Sequence, residues 1–306
     1  MKAPTVVGVG NALVDHTYLL TNLPEADGGA YVLDRDTRPG GVESNVMAAL
    51  GALDVDTGII ARLGDDEDTD TVTAHLNAAG IESRRVRRVP GDTTSYCIVL
   101  TDERGDRAIL GGGDSALNLE LDEEDIAYLR DAEAVFTSVY TPVNVLCRLA
   151  ALDTPFVFDL AGRFNDIKHR GFTRRALDEA LSGIDLFTGN VAAVRSYLRS
   201  EDNAYELAVA LRNKGLSQGA VTAGADGSVL FDRDGIYKIE AVETEVVDTT
   251  GAGDVFTAVL IDRWLLAAEP PPKAGRYAAT AAALNCTSRG ARCGLPAREA
   301  IETRLC

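Results

Sequence analysis

Short apolar runs of strand length alternate with longer stretches of helical period along most of the chain. Val6-Val7-Gly8-Val9-Gly10 reads as a buried strand ending in a tight turn. Further strands fall at 57–60, 134–137, 156–158, 186–188, 220–222 and 228–231. Helical patterning covers 44–53, 68–79, 123–130, 143–151, 173–182, 191–200, 204–214, 255–268 and 273–286. This alternation predicts an α/β fold, a doubly wound and mainly parallel sheet flanked by helices.

Two stretches break the rhythm. Pro24, Gly28 and Gly29 interrupt short runs across 17–37, including Ala30-Tyr31-Val32-Leu33. Period-two alternation returns at Ser95-Tyr96-Cys97-Ile98-Val99-Leu100, followed by the turn Thr101-Asp102-Glu103-Arg104-Gly105 and the strand Arg107-Ala108-Ile109-Leu110. These segments predict a small antiparallel β lid, built from about 16–39 and 93–112, on an otherwise single domain. Pro270-Pro271-Pro272 reads as a stop between the last two helices. There is no internal repeat and no low-complexity segment.

A chain of 306 residues is long enough to bury roughly three quarters of its unfolded surface. Its net charge of −17 argues against a nucleic-acid or anionic-membrane partner. Only five of its thirty basic residues are Lys (Lys2, Lys168, Lys214, Lys238 and Lys273). That acidic, lysine-poor bias resembles proteins of salt-accumulating halophiles, where molar salt shortens the Debye length to about 3 Å. Five scattered cysteines without a CxxC pair indicate neither a zinc site nor a disulfide framework. With no signal-like start and no apolar run of membrane length, the expectation is a cytoplasmic protein.

The loop Asp248-Thr249-Thr250-Gly251-Ala252-Gly253-Asp254 carries the chemistry. Its small residues let backbone N–H groups approach an anion, and a helix starting there adds free amides and its dipole. Asp254 is then either a first-turn helix acid or a base that takes a proton from a hydroxyl. Other polar residues follow successive strands, where open α/β sheets bind ligands. They are Asn11 and Asp15; Gly40, Gly41, Ser44 and Asn45; Asp159 and Arg163; Asn190; and Thr222, Gly224 and Gly227. Asn11 and Asp15 suit a polyhydroxylated substrate, and Gly40-Gly41 lets it lie against backbone. Arg35, Arg38, Arg107 and Arg163 are candidates for neutralising a substrate phosphate. A P-loop, a complete dinucleotide fingerprint, GxSxG and HExxH are all missing. His16, His75 and His169 read as surface or core histidines.

Gly40-Gly41-Val42-Glu43-Ser44-Asn45, with Ile60-Ala61-Arg62-Leu63-Gly64-Asp65-Asp66 after it, resembles the first signature of the ribokinase-like PfkB carbohydrate and nucleoside kinases. The Asp248–Asp254 loop is similar to their second signature. Gly10-Asn11-Ala12-Leu13-Val14-Asp15 resembles the opening of the adenosine-kinase branch, and Val221-Thr222-Ala223-Gly224 with Gly227 their nucleotide turn. The resemblance spans roughly residues 5 to 296. It implies ATP as donor, Mg²⁺ as helper and Asp254 as base. The N–H groups of Gly251, Ala252 and Gly253 would form the anion hole, and Asp15, Gly41 and Asn45 would hold the sugar. Asn190, Thr222, Gly224 and Gly227 would line the ATP side. Asp248 and Thr250 match a monovalent-cation site, K⁺ being the usual occupant.

Three positions depart from the family pattern. Asn190-Val191-Ala192-Ala193 lacks the glutamate of the Asn-x-x-Glu motif. Asp159-Leu160-Ala161-Gly162-Arg163 keeps the charges of Asp-x-Asn-x-Arg but loses the amide. Val42 stands where ribokinase has Lys. The expected activity is ATP-dependent phosphorylation of a ribose-type sugar or nucleoside, with a sugar phosphate such as ribose 1-phosphate as the alternative acceptor. A non-catalytic sugar or nucleotide sensor is the rival class, and an oxidoreductase a distant third. An exposed lid edge would allow a homodimer.

Overall fold

The computed structural model describes residues 2–167 and 171–305; Lys168, His169 and Cys306 lie outside them. Nine strands form the main sheet: β1 (Val6–Val9), β4 (Thr57–Leu63), β5 (Glu82–Arg88), β8 (Ala134–Ser138), β9 (Phe156–Leu160), β10 (Leu186–Asn190), β11 (Gly219–Thr222), β12 (Ser228–Phe231) and β13 (Ile236–Ile239). Their order is β13-β12-β11-β10-β9-β8-β1-β4-β5, all in one direction except β12, which is antiparallel to both its neighbours, β11 and β13. β1, β8 and β9 are buried at every position, as unbroken apolar runs covered on both faces should be.

The helices are α1 (Val42–Ala52), α2 (Glu67–Ala78), α3 (Glu123–Arg130), α4 (Val143–Leu149), α5 (Phe164–Ile167), α6 (Arg174–Ala180), α7 (Val191–Leu198), α8 (Ala204–Asn213), α9 (Ala252–Leu260), α10 (Pro271–Asn285) and α11 (Arg298–Leu305). They divide between two cores. Leu129, Leu146, Leu177, Val194 and Leu211 fill one face, and Met47, Leu76, Val259, Ala278 and Ile301 the other.

A second sheet, ordered β3-β2-β6-β7, is built from β2 (Leu13–Leu20), β3 (Val32–Gly40), β6 (Tyr96–Asp102) and β7 (Arg107–Gly112). Its outer pairs are antiparallel and its central pair, β2 with β6, is parallel. No hairpin joins those two central strands, so nothing forces them to run in opposite directions.

Several elements differ from the sequence expectation. α9 starts at Ala252 rather than 255, because Gly251 supplies a left-handed cap with φ +79°. A π-helical turn, Ile261–Leu266, then carries the segment on. The proline run opens α10 instead of only ending the helix before it, since proline is well placed in a first helical turn. β5 escaped sequence reading because Glu82-Ser83-Arg84-Arg85-Val86-Arg87-Arg88 has no apolar alternation. It is an edge strand whose Arg85 and Arg87 pair with Asp122 and Asp125.

Candidate active site

The strand order reverses at β1, which lies between β4 and β8, and the polar residues gather beyond the carboxyl ends there. The β1–β2 turn and the start of α1 pack back to back. Asn11 donates its N–H to Glu43 Oε2 at 3.0 Å, and Ser44 donates its N–H to Asn11 O at 3.3 Å. Gly41 holds φ +94°, and a Cβ there would stand 2.6 Å from Asn11 O. A Cβ on Gly40 would stand 2.5 Å from Asp15 Oδ2, so Gly41 is required by conformation and contact and Gly40 by contact alone.

Glu43 is fully buried and was not singled out from sequence. Its Oε1 accepts Ser138 N–H at 2.8 Å and Thr141 Oγ1 at 3.2 Å. It therefore ties α1 to β8 as well as to β1. Burial pushes its carboxyl up, against those hydrogen bonds.

Asp254 occupies the first turn of α9. Asn45 donates from Nδ2 to Asp254 Oδ2 at 2.8 Å. Burial, with the negative charges of Asp159 and Glu43 nearby, pushes Asp254 up to about 8. Asp159 is buried at the end of β9 and pushed up to about 7, chiefly by desolvation. Thr257, one turn beyond Asp254, donates to Thr188 Oγ1 at 3.1 Å within the same buried polar layer.

The loop before α9 is internally braced. Asp248 Oδ1 accepts Thr250 N–H at 2.9 Å and Thr250 Oγ1 at 2.6 Å, and Oδ2 accepts Gly290 N–H at 2.8 Å. These bonds outweigh desolvation and hold Asp248 below the usual carboxylate range. Ala252 donates its N–H to Thr249 O at 3.2 Å, whereas Gly251 N and Gly253 N have no partner among the described residues. Those two are the open donors at the head of the helix.

Asp15, on β2, is pushed up by burial and held back chiefly by the Arg292 guanidinium, then by Cys97 and Arg107. Arg292, in the loop before α11, donates from Nε to Asn45 Oδ1 at 2.8 Å and from Nη2 to Ser44 Oγ. It has no periodic or motif signature, so sequence reading passed over it. Arg107, on β7, reaches Thr250 Oγ1 at 3.1 Å. Arg38 pairs with Asp36, and a Cβ on Gly290 would stand 2.7 Å from its Nη1. Arg163 is exposed before α5 and shares no hydrogen bond or ion pair with this cluster among the described residues. Arg35 is likewise exposed, on β3. His16 pairs with Asp68 at 3.1 Å, and His75 Nδ1 meets Thr71 O at 3.0 Å.

A cleft of about 840 Å³ opens along β10–β13 and is lined by Asn190, Thr222 and Gly224, with Tyr205 and Lys238. Asn190 is already engaged: Oδ1 caps α7 through Ala193 N–H at 2.9 Å, and Nδ2 donates to Ala161 O at 3.3 Å. Gly227 serves the turn itself, with φ +83° and no room for a Cβ 2.2 Å from Ile239 O.

An acid of raised pKa in a helical first turn with open amides is an arrangement able to take a hydroxyl proton and to hold an anion at the same place. The sequence profile of the pfkB family carbohydrate kinases matches residues 3–298, and the chain belongs to that family. It is an ATP-dependent carbohydrate kinase. It is 30% identical over 303 residues, 98% of this chain and 97% of the relative, to an ATP-dependent ribose-1-phosphate kinase of Halopiger xanaduensis. It is 29% identical over 267 residues to a fructosamine kinase of Bacillus subtilis, covering 85% of this chain and 88% of that one. Arabidopsis thaliana ribokinase complexed with ribose and ATP has the same fold, with TM-score 0.85, 24% identity and 99% of each chain covered.

Proposed function

We propose that the chain transfers the γ-phosphoryl group of ATP to a hydroxyl of a ribose-type sugar that already carries a phosphate, ribose 1-phosphate being the leading acceptor. One observation carries the choice: Asp15, the carboxylate placed to hold the polyol, lies within electrostatic reach of two guanidiniums, Arg292 and Arg107. Arg292 is shared with Asp254 and Arg107 with Asp248, but Arg107 stays exposed on the acceptor side, where a substrate phosphate would reach it. The relative named as a ribose-1-phosphate kinase supports the same acceptor.

In this reading Asn11, Asp15, Gly40, Gly41 and Asn45 hold the sugar. Asp254 takes the proton of the acceptor hydroxyl as its oxygen bonds to the γ-phosphorus and the bond to ADP breaks. Gly251 and Gly253 N–H groups face the transferred phosphoryl. The cleft lined by Asn190, Thr222 and Gly224 takes the nucleotide. Mg²⁺ would ride on the ATP phosphates, because no group of three His, Cys, Asp or Glu among the described residues can hold a metal, and Ala193 brings no carboxylate. A monovalent cation such as K⁺ fits beside Asp248 and Thr250. Asn285 there is fully buried, donates Nδ2 to Thr250 O at 3.1 Å and leaves Oδ1 without a partner. The small sheet acts as a lid, and its exposed Val32, Leu33, Ile109 and Leu110 on edge strands β3 and β7, with Tyr31 just before β3, offer a homodimer contact. A cytoplasmic setting agrees with Cys97, Cys147, Cys286 and Cys293, none of which forms a disulfide among the described residues.

The test is ATP turnover, in molar KCl, across ribose, ribose 1-phosphate, ribose 5-phosphate and nucleosides. Ribose 1-phosphate should have the highest kcat/KM. An equal or higher value for ribose or a nucleoside removes the phosphate reading and leaves the kinase.

A further inference from the structure

Arg292 sits within electrostatic reach of both acids of the acceptor site, Asp15 and Asp254, and contacts neither in a hydrogen bond among the described residues. Its bonds go instead to Asn45 Oδ1, at 2.8 Å from Nε, and to Ser44 Oγ. A guanidinium can only donate. The Asn45 amide is therefore locked with its oxygen toward Arg292 and its Nδ2 toward Asp254 Oδ2, 2.8 Å away. A side-chain amide without such a partner is free to turn over. Turned over, Asn45 would present an oxygen to Asp254, and two acceptors face each other only with a proton between them.

We propose that Arg292 is a positioning residue for the base: by fixing the Asn45 amide it keeps Asp254 Oδ2 an acceptor and leaves Oδ1 for the acceptor hydroxyl. This rests on the reading of Asp254 as the base. The surroundings make the lock necessary. Asp254 faces Asp159 from β9 and Glu43 from α1, two acids that favour its protonated form. Against them stand the Asn45 hydrogen bond and the charge of Arg292. Arg292 itself faces Asp254, Asp15 on β2, Ser44 and Asn45 on α1, and His75 on α2, whose ring is held down by burial and then by the charge of Arg292.

The experiment is the pH profile of kcat/KM in Arg292→Met and Arg292→Lys, alongside thermal unfolding and the KM for ATP. In Arg292→Met the acid limb should move up by about one unit, giving roughly a ten-fold loss below the limb and a much smaller one above it. Arg292→Lys keeps the charge without the fork, so its limb should lie between Met and the parent. In an Asn45→Ala background, Arg292→Met should move the limb by clearly less than it does in the parent, because only the lost charge still acts and there is no amide left to fix. A uniform loss at every pH with an unmoved limb overturns the proposal, as does a rise in acceptor KM alone, which would make Arg292 a substrate contact. If Arg292→Met fails to fold, Arg292→Lys decides by the same limb. Asp254→Asn separates the two failures: full turnover there removes the base reading itself, whatever Arg292 does.

Discussion

Arg107 on β7 donates to Thr250 Oγ1 across 3.1 Å, joining the small sheet to the loop that heads α9. The bond links an exposed strand of the proposed lid to the rim of the proposed anion hole. Thr250 Oγ1 passes its own hydrogen to Asp248, so the arginine completes a short chain of donors. Arg107→Met is expected to raise the acceptor KM about ten- to a hundred-fold, the value of a charge-assisted hydrogen bond, and to leave the KM for ATP near the parent's. Steady-state kinetics with each substrate varied in turn checks this; an effect confined to ATP would place Arg107 on the nucleotide side.

Asp254→Asn keeps the shape and removes the base. Turnover should fall about 10²–10⁴-fold. Calorimetric binding of the acceptor should persist, because Asp15, Gly41 and Asn45 remain in place. Unchanged turnover would leave Asp254 as a first-turn helix acid only.

The acid limb of kcat/KM should lie near 8. Asp254 is pushed up to about 8 and must lose its proton before it can accept one, so activity rises with pH through that value. Part of the shift comes from Asp159. Asp159→Asn should therefore move the limb down, and a limb that stays fixed would mean that desolvation and Glu43 set it without Asp159.

The same two acids fix the direction of stability with pH. Unfolded, each would titrate near the ordinary value of 3.8; folded, Asp159 holds its proton to about 7 and Asp254 to about 8. Between those limits the folded chain binds more protons than the unfolded one, so stability falls as pH rises through the window. Asp159→Asn removes one of these groups and should raise the unfolding midpoint at pH 8 by about 2–4 °C while changing little at pH 4. Differential scanning calorimetry at both values tests the sign.

Much of the frame is legible in the chain because buried parallel strands are written as continuous apolar runs: β1, β8, β9 and β10 all read directly. β5 is not, since its arginines are paired only after Asp122 and Asp125 arrive from α3 and its cap. Asn45 and Asp254 were legible as loop chemistry at two helix starts. Their direct contact was not, because it joins residues 209 positions apart. Glu43 lies inside a recognisable signature, yet its task depends on Asn11 from the β1–β2 turn and Ser138 from β8 meeting it. Arg292 is one arginine in an irregular loop, and only the folded chain gives it neighbours.

Two glycines separate the fold from the chemistry. Gly41→Ala forces a side chain to φ +94° and within 2.6 Å of Asn11 O, so it should destabilise by more than about 1 kcal/mol and impair sugar binding. Gly253→Ala meets nothing within 4 Å and sits in a helical first turn, so the fold should tolerate it. Turnover should still fall, because the methyl group crowds the open amides. A fully active Gly253→Ala would take the phosphoryl group away from this helix head.

The salt response follows from charge. A net charge of −17 on 306 residues repels itself, and compact folding brings those charges closer than the unfolded chain does. Raising KCl from about 0.1 M to about 2 M shortens the Debye length from about 10 Å to under 3 Å, which removes most of that repulsion between exposed groups. Partly buried pairs such as Arg62 with Asp92 are screened far less and should survive. The unfolding midpoint should therefore climb steadily with KCl, and NaCl should act alike if screening is the cause. A midpoint that is flat across this range, with full activity in dilute buffer, would show that the acidic surface is not an adaptation to salt; a rise with KCl alone would assign the effect to a bound monovalent cation, and the loop of Asp248 and Thr250 would be the place to look.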